Sequence, residues 1–165
     1  MTEDLNILGT IARPINDRGN WLEAVQAWLD WEPPKNLMTS CLLHGTNKWI
    51  NWNIAYEHED VDHWKLPEEL FDDMSGDCED YALAKLGILS TTIDADDMAI
   101  VVGKMQGQHH AVLYLPRRQE ILDNKVEWAI PVSAMDGLFL PIISVTKDQA
   151  FLHGVPQVPV ADTLK

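Results

Sequence analysis

The sequence predicts an α+β fold in which helices come first and an antiparallel sheet follows. Two observations lead to this prediction. Segments with apolar residues at helical spacing fill the first half of the chain, and short β-branched runs separated by turn residues begin near residue 97. The 165 residues suffice for one compact domain spanning 1–165. We expect 1–20 and 141–165 to form irregular, peripheral arms of that domain.

Three helices are predicted in the first half. The segment WLEAVQAWLDW (21–31) repeats apolar residues every three or four positions, follows Asn20 as an N-cap, and is ended by two prolines. The segment 36–57 predicts a second helix, with an interruption at Gly45. A third helix is expected to begin near Asp77 and to end at about residue 91.

The second half predicts an antiparallel meander. DMAIVVGKM (97–105) and HHAVLYLP (109–116) are typical strands, and QEILDNK (119–125) is a shorter third one. WAIPV (128–132) contains a proline, which restricts it to the edge of a sheet. Before the meander, 58–76 predicts a loop with a short turn at PEELF. Helices followed by this meander give the α+β prediction.

The charge of the chain excludes several classes of partner. The sequence has 12 Lys+Arg against 26 Asp+Glu, a formal net charge of −14. Nucleic-acid binding relies on Lys and Arg to neutralise phosphates, and an anionic membrane surface would repel the chain. No apolar run approaches the roughly 20 residues of a membrane span. We therefore expect no nucleic-acid and no membrane partner. The oligomeric state is not indicated.

Cysteine usage and the N-terminus favour an intracellular protein. Cys41 and Cys78 are too few for a disulfide framework, although a single bridge between them stays open. The cysteines and histidines lack zinc-site spacing. The first residues, MTEDLNILGTIARP, lack the positive segment followed by an apolar segment of a secretory signal. The sequence therefore predicts a cytoplasmic location.

The stretch SGDCEDYALAK (75–85) raises a question about Cys78. The pattern places Cys78 in the first turn of the third helix, with Asp77 as N-cap and Asp80 at the third position. The unpaired amides and the positive end of the helix dipole stabilise a thiolate there. The carboxylates of Asp77, Glu79 and Asp80 oppose it. The balance between these effects decides whether Cys78 is nucleophilic.

A base and an orienting acid follow on the predicted strands. His109 and His110 point to opposite faces of their strand, so only one of them can face Cys78. Asp123, at the end of the next strand, is the natural partner for the second ring nitrogen. Taken singly, each residue is more often structural: a core cysteine, a strand histidine, a turn aspartate. Together, in this order, they form a candidate Cys-His-Asp triad.

Four stretches together resemble the bacterial transglutaminase-like cysteine proteinases. They are WKLPEEL (64–70), GDCEDYALAK (76–85), HAVL (110–113) and LDN (122–124). GDCEDYA is a specific motif. HAVL and LDN are weak motifs alone, and they support the resemblance because they follow in the order found in the family. WINWNIAY (49–56) is also similar to the Asn-containing helix that precedes the site in this family. The resemblance covers about residues 45–130.

The resemblance implies a papain-like transglutaminase core, with the nucleophile helix packed on a small antiparallel sheet. By matching position it implies Cys78 as nucleophile and Asp123 as orienting acid. It selects His110, rather than His109, as the base. We expect the backbone N–H of Cys78 to be one oxyanion donor. By analogy with the indole donor of transglutaminases, Trp64 is a candidate for a second oxyanion donor.

The resemblance also implies a calcium cofactor, since some members bind calcium beside the nucleophile and need it for activity. The matching acids are Asp77 and Glu79, with Asp80 as a further candidate, and carboxylate oxygens suit calcium. Helix capping is the alternative role of these acids. No organic cofactor is expected. The acidic run DADD (94–97) is not an EF-hand loop, because no Gly or closing Glu follows at the required positions.

The function predicted on this basis is that of a cysteine peptidase that acts on a protein or peptide by thioester acyl transfer. A transglutaminase or a Gln/Asn deamidase would use the same triad. A non-catalytic module that binds peptide or calcium on this fold is the alternative from another class. The best-known members of the family are periplasmic proteases that release large surface adhesins. Without a secretory signal, this chain is expected to be cytoplasmic or to come from a phage or other mobile element.

Overall fold

The computed structural model describes residues 5–16, 20–34, 42–60 and 63–154. Cys41 lies outside these residues, and so does the question of a Cys41–Cys78 bridge. The predicted helical residues 36–41 and the C-terminal residues 155–165 lie outside them as well. Within the described ranges, no helix is both long and apolar enough to cross a membrane.

The described residues contain four α-helices and nine strands. The helices are α1 (Trp21–Asp30), α2 (Leu42–Asn53), α3 (Pro67–Asp73) and α4 (Cys78–Leu89). The strands are β1 (Ile11–Ile15), β2 (Ala55–Tyr56), β3 (Ser75–Gly76), β4 (Ala99–Met105), β5 (Gln108–Leu115), β6 (Glu120–Leu122), β7 (Ile130–Pro131), β8 (Phe139–Val145) and β9 (Ala150–Gly154). The predicted first and third helices and the predicted strands of the meander are thus confirmed, with small differences at their ends.

One antiparallel sheet of seven strands forms the core of the fold. Its strand order is β1-β9-β8-β4-β5-β6-β7, and β2 and β3 form a separate parallel pair. Helix α4 packs against β4 and β5 at the middle of the sheet, and α1 and α2 pack against α4. This arrangement confirms the predicted α+β fold, in which the helix that carries Cys78 packs on an antiparallel sheet. The sheet is larger than the small one expected.

Helix α4 lies at the centre of the fold, and all twelve of its residues are buried. After an acidic first turn, its sequence ALAKLGIL is apolar on every face except at Lys85. A Cβ at Gly87 would lie 2.8 Å from the ring of Trp28, so the glycine allows α1 to approach closely. Packing on all sides fixes the first turn of α4, which carries Cys78.

The two segments predicted as irregular arms contain strands, and that prediction is wrong for β1, β8 and β9. Strand β1 pairs with β9, and β8 pairs with both β9 and β4. Pro14 and Pro141 made these segments look unlike strands in the sequence, because proline lacks the N–H that a strand contributes to the hydrogen-bond ladder. Pro14 is tolerated because β1 is an edge strand. Pro141 lies opposite Gly103, where the register between β4 and β8 shifts.

The segment between the first and third predicted helices also differs from expectation. Helix α2 continues through Gly45 and ends at Asn53, whereas the sequence predicted an interruption and a later end. The chain then forms β2, which pairs with β3 directly before α4. No proline or glycine marks the end of α2, so this strand pairing overrides local propensity. PEELF belongs to α3, with Pro67 at its first position.

Candidate active site

Two aspartates organise the first turn of α4. Asp77 is the N-cap, with extended backbone, and its Oδ1 accepts the backbone N–H of Cys78 at 2.8 Å. Asp80 reaches back, and its Oδ2 accepts the N–H of Asp77 at 2.9 Å. The other oxygen of Asp80 accepts the N–H of Lys65 at 2.9 Å. The capping arrangement expected from the sequence is therefore present, and both oxygens of Asp80 are used in it.

The thiol of Cys78 lies between the acidic turn and the sheet. The residue is 6 % exposed. Its S–H donates to Oε2 of Glu79 at 3.4 Å, and the backbone N–H of Ala111 donates to the sulfur. Ala111 directly follows His110 on β5. The sulfur therefore contacts the strand that carries the predicted base.

His110 and Asp123 form a buried pair. Nε2 of His110 donates to Oδ1 of Asp123 at 2.9 Å, and each residue is 2 % exposed. Asp123 stands just after β6, next to β5 in the sheet. Burial alone would raise the pKa of Asp123, but the hydrogen bond and charge of His110 outweigh it and hold the pKa below its usual value. With Nε2 bonded to Asp123, Nδ1 is the ring nitrogen left to accept a proton from a thiol.

Helix α2 supports the turn that carries Asp123. The side-chain N–H₂ of Asn51 donates to the carbonyl oxygens of Asp123 and Val126, both at 3.0 Å. Asn47, one helical turn earlier, donates to the same Val126 oxygen at 2.6 Å. These bonds link the helix preceding the site to the backbone of the predicted acid. Sequence reasoning identified the helix but assigned no role to either asparagine; their spacing of four residues was the available signal.

A cavity of about 580 Å³ opens over the first turn of α4. Cys78, His110 and Trp64 all line it, so the predicted nucleophile, base and indole candidate face one space. His109 also lines the cavity, but it is exposed and lies on the next position of β5. Further lining residues come from the segment after β2, from β4 and from β8: His58, Glu59, Asp60, Val102, Ile142 and Ile143.

The acidic residues of this turn divide into two groups. One carboxylate oxygen each of Asp77 and Glu79, with the sulfur of Cys78, lie within 4.8 Å of one another. Within the described ranges, this is the one cluster of three such residues with the spacing of a metal site. Asp80 does not belong to it, and its two oxygens accept the backbone N–H groups of Lys65 and Asp77. Of the three predicted metal ligands, the structure brings together Asp77 and Glu79.

Asp77 makes further contacts that the sequence did not predict. The hydroxyl of Tyr56 donates to its Oδ1 at 2.9 Å, and the backbone N–H of Glu59 donates to its Oδ2 at 3.3 Å. Burial and the neighbouring Asp77 raise the pKa of Tyr56. The segment after β2 therefore closes over the N-cap. No local pattern in the sequence indicates this contact, since it depends on the pairing of β2 with β3.

The electrostatics of the turn oppose a thiolate. Burial raises the pKa of Cys78, and the carboxylates of Glu79 and Asp77 raise it further; the N–H of Ala111 only partly offsets them. Burial also raises the pKa of Glu79 to about 8 and that of Asp80 to about 6. Burial and the carboxylates together hold the pKa of Cys78 above its ordinary value. The protonated thiol bonded to Glu79 is consistent with that balance.

Comparisons with known proteins agree on family and fold. The family model described as "bacterial transglutaminase-like cysteine proteinase" matches residues 34–151, more than half of the 165 residues. LapG from Legionella pneumophila is a similar solved structure, with 23% identity, a TM-score of 0.63, and coverage of 85% of this chain and 90% of that one.

Two further LapG structures, one calcium-bound and one EGTA-treated, are also similar at 23% identity. Their TM-scores are 0.61 and 0.62, and they cover 86% and 85% of this chain and 79% and 87% of theirs. No curated protein matches the chain. At this identity the solved structures establish the fold, and the family model establishes membership. The chain belongs to the bacterial transglutaminase-like cysteine proteinases, and it is a cysteine peptidase.

Proposed function

We propose that the chain hydrolyses peptide bonds of a protein substrate by thioester acyl transfer, with Cys78 as nucleophile, His110 as base and Asp123 as orienting acid. The observation that carries the proposal is the buried contact of 2.9 Å between His110 and Asp123. The neighbouring N–H of Ala111 contacts the sulfur of Cys78. A buried imidazole held by a carboxylate, beside a cysteine at a helix N-terminus, suits nucleophilic catalysis.

The reaction follows from these positions. Nδ1 of His110 accepts the thiol proton, and the sulfur of Cys78 attacks the carbonyl carbon of the scissile amide. The tetrahedral intermediate collapses, the C–N bond breaks, and the amine leaves with the proton from His110. Water then gives a proton to His110 and attacks the thioester. The acid is released, and the proton returns to the sulfur. Asp123 keeps the Nε2–H tautomer throughout.

Calcium fits the acidic turn, and we propose Asp77 and Glu79 as its protein ligands. Calcium prefers several oxygen ligands, and two carboxylates within 4.8 Å supply part of such a set. The sulfur of Cys78 is a poor calcium ligand and stays outside the set. A bound cation would neutralise the two carboxylates that raise the pKa of Cys78. One of the similar LapG structures is calcium-bound, which supports calcium as the cation.

Three alternatives use the same cavity. Transamidation and side-chain deamidation would proceed through the same thioester and differ in the acceptor or in the amide attacked. A binding module without catalysis would need neither a buried His110–Asp123 contact nor a cysteine against it. The buried pair therefore favours an enzyme. The family favours peptide hydrolysis over the two other reactions.

A peptide mixture from digested cell protein tests the proposal. The chain, with calcium, is expected to create new peptide termini, detected by mass spectrometry. A gain of about one dalton on Gln or Asn would identify a deamidase, and cross-linked peptides would identify a transglutaminase. His110→Ala should abolish the reaction, and the matched variant His109→Ala should leave most of it. Cleavage that persists in Cys78→Ala would overturn the mechanism.

A further inference from the structure

A lysine is buried beneath the site. Lys85 lies on α4, is fully buried, and its Nζ has no hydrogen-bond partner among the described residues. The ring centroid of Tyr81 lies 5.9 Å from Nζ. The charged group that interacts with Lys85 is the carboxylate of Asp123. An unpaired ammonium in the core is costly, so its retention calls for compensating contacts.

Three amide oxygens near the same turn are also unpaired. Oδ1 of Asn47, Asn51 and Asn124 is buried in each case, without a hydrogen-bond partner in the described part of the chain. Asn47 and Asn51 hold the turn after Asp123 through their N–H₂ groups, and Asn124 belongs to that turn. The unpaired oxygens thus belong to side chains that hold or form this turn, and the unpaired Nζ belongs to a lysine that interacts with Asp123. An ammonium offers three donors, and the amides offer three oxygens.

We propose that Lys85 is a positioning residue for Asp123: its ammonium group satisfies the amide oxygens of Asn47, Asn51 and Asn124 through enclosed water and holds the Asp123 turn in place. Enclosed water that bridges such groups is a regular part of protein interiors. Such a cluster would tie α4, α2 and the Asp123 turn together, and none of its residues lines the cavity. His110 binds Oδ1 of Asp123.

The electrostatics agree with this arrangement. Burial lowers the pKa of Lys85 to about 7, and the carboxylate of Asp123 opposes that shift. Amide oxygens around the ammonium would favour its charged form further. In return, the charge of Lys85 contributes to keeping the pKa of Asp123 low. The inference deepens the proposed function and rests on the role given there to Asp123.

Replacing Lys85 by methionine tests the proposal, because methionine fills similar volume without charge. If the lysine is only a buried, unsatisfied cation, Lys85→Met should raise the Tm. We expect instead a fall of about 3 °C or more, since three amide oxygens lose their donor. We also expect the carbon NMR titration of the Asp123 carboxyl group to move to higher pH. Lys104→Met, at an exposed position of β4, should change neither measurement.

Lys85→Gln keeps a donor but removes the charge, and it guards against a variant that fails to fold. Its Tm should fall less than that of Lys85→Met, and the Asp123 titration should still move to higher pH. Peptide cleavage should fall about tenfold in both variants. If the wild type cleaves no peptide, the proposed function fails, while Tm and the Asp123 titration still decide the role of Lys85. A higher Tm with an unmoved titration in Lys85→Met overturns the inference.

Discussion

Oδ1 of Asp77 lies 2.8 Å from the backbone nitrogen of Cys78 and accepts its N–H. This amide is the one expected to bind the oxyanion of the reaction. The same oxygen accepts the hydroxyl of Tyr56 at 2.9 Å. Asp77 therefore occupies this amide and places a carboxylate beside the predicted nucleophile. We therefore expect the acids around Cys78 to suppress its reactivity until their charge is neutralised or moved.

The first prediction separates charge from structure at Glu79. In chelator at about pH 9, above the pKa of about 8 of Glu79, Glu79→Gln should be alkylated at Cys78 by iodoacetamide about tenfold faster than the wild type, because an ionised carboxylate that raises the pKa of the thiol is gone. Calcium should accelerate the wild type and have little effect on the variant. Glu68→Gln, an exposed acid on α3, is the control and should behave as the wild type. A variant no faster than wild type in chelator would contradict the electrostatic explanation.

The second prediction concerns stability against pH in the absence of calcium. Burial raises the pKa of Glu79 from 4.5 to about 8 in the folded protein. Between these values the unfolded chain loses the proton while the folded chain keeps it, so stability falls as pH rises and levels off above the folded pKa. Glu79→Gln has no titrating carboxyl group at this position, so its stability does not fall for this reason. Its advantage in the free energy of unfolding should grow to about 2–4 kcal/mol from about pH 5 to about pH 8, measured in urea. A constant difference across this range would refute the prediction.

The third prediction tests Trp64 as an oxyanion donor. Trp64→Phe should lower kcat for peptide cleavage by about 10²-fold, since an oxyanion donor acts on the tetrahedral intermediate. Alkylation of Cys78 by iodoacetamide should change little, because that reaction forms no oxyanion. Trp21→Phe is the matched control, as its ring packs 6.2 Å from that of Trp64 in the same cavity wall. Equal losses of alkylation and cleavage would assign Trp64 to packing.

The fourth prediction concerns the support of Asp123 by α2. Asn51→Ala removes two hydrogen bonds to the backbone around Asp123 and leaves those carbonyls without that donor. We expect a loss of about 1–3 kcal/mol in the free energy of unfolding, together with slower cleavage. Asn53→Ala is the control, because Asn53 is exposed and bonds only locally, to the carbonyl of Trp49. A similar loss in both variants would show a general effect on α2.

The elements that the sequence predicted correctly are those specified by local sequence patterns. The capping aspartates and apolar sequence of α4 specify that helix over a short stretch, and the β-branched run of β4 and the turn at Gly107 specify a hairpin. Such elements carry or directly precede the three predicted triad residues, Cys78, His110 and Asp123. Their approximate positions therefore follow from patterns of fewer than about fifteen residues.

The features missed by sequence reasoning depend on contacts between distant segments. Strand β8 contains Pro141 and joins the sheet through β4, about forty residues earlier in the chain. The contact of Tyr56 with Asp77 requires the pairing of β2 and β3. Lys85 appears as one polar residue in an apolar helix, and its significance emerges only beside Asp123. Local propensity carries no information about any of these partners.

The fifth prediction tests the strand pairing that proline concealed. A Cβ at Gly103 would lie 2.1 Å from the carbonyl oxygen of Leu140, so Gly103→Ala must push β4 and β8 apart. We expect a loss of at least about 3 kcal/mol in the free energy of unfolding, and slower peptide cleavage because Ile142 and Ile143 of β8 line the cavity. Gly154→Ala is the control. Its Cβ would meet only the Arg13 side chain at an ordinary 3.7 Å, so it should lose much less. If Gly103→Ala unfolds like Gly154→Ala, β8 does not pair with β4 as described.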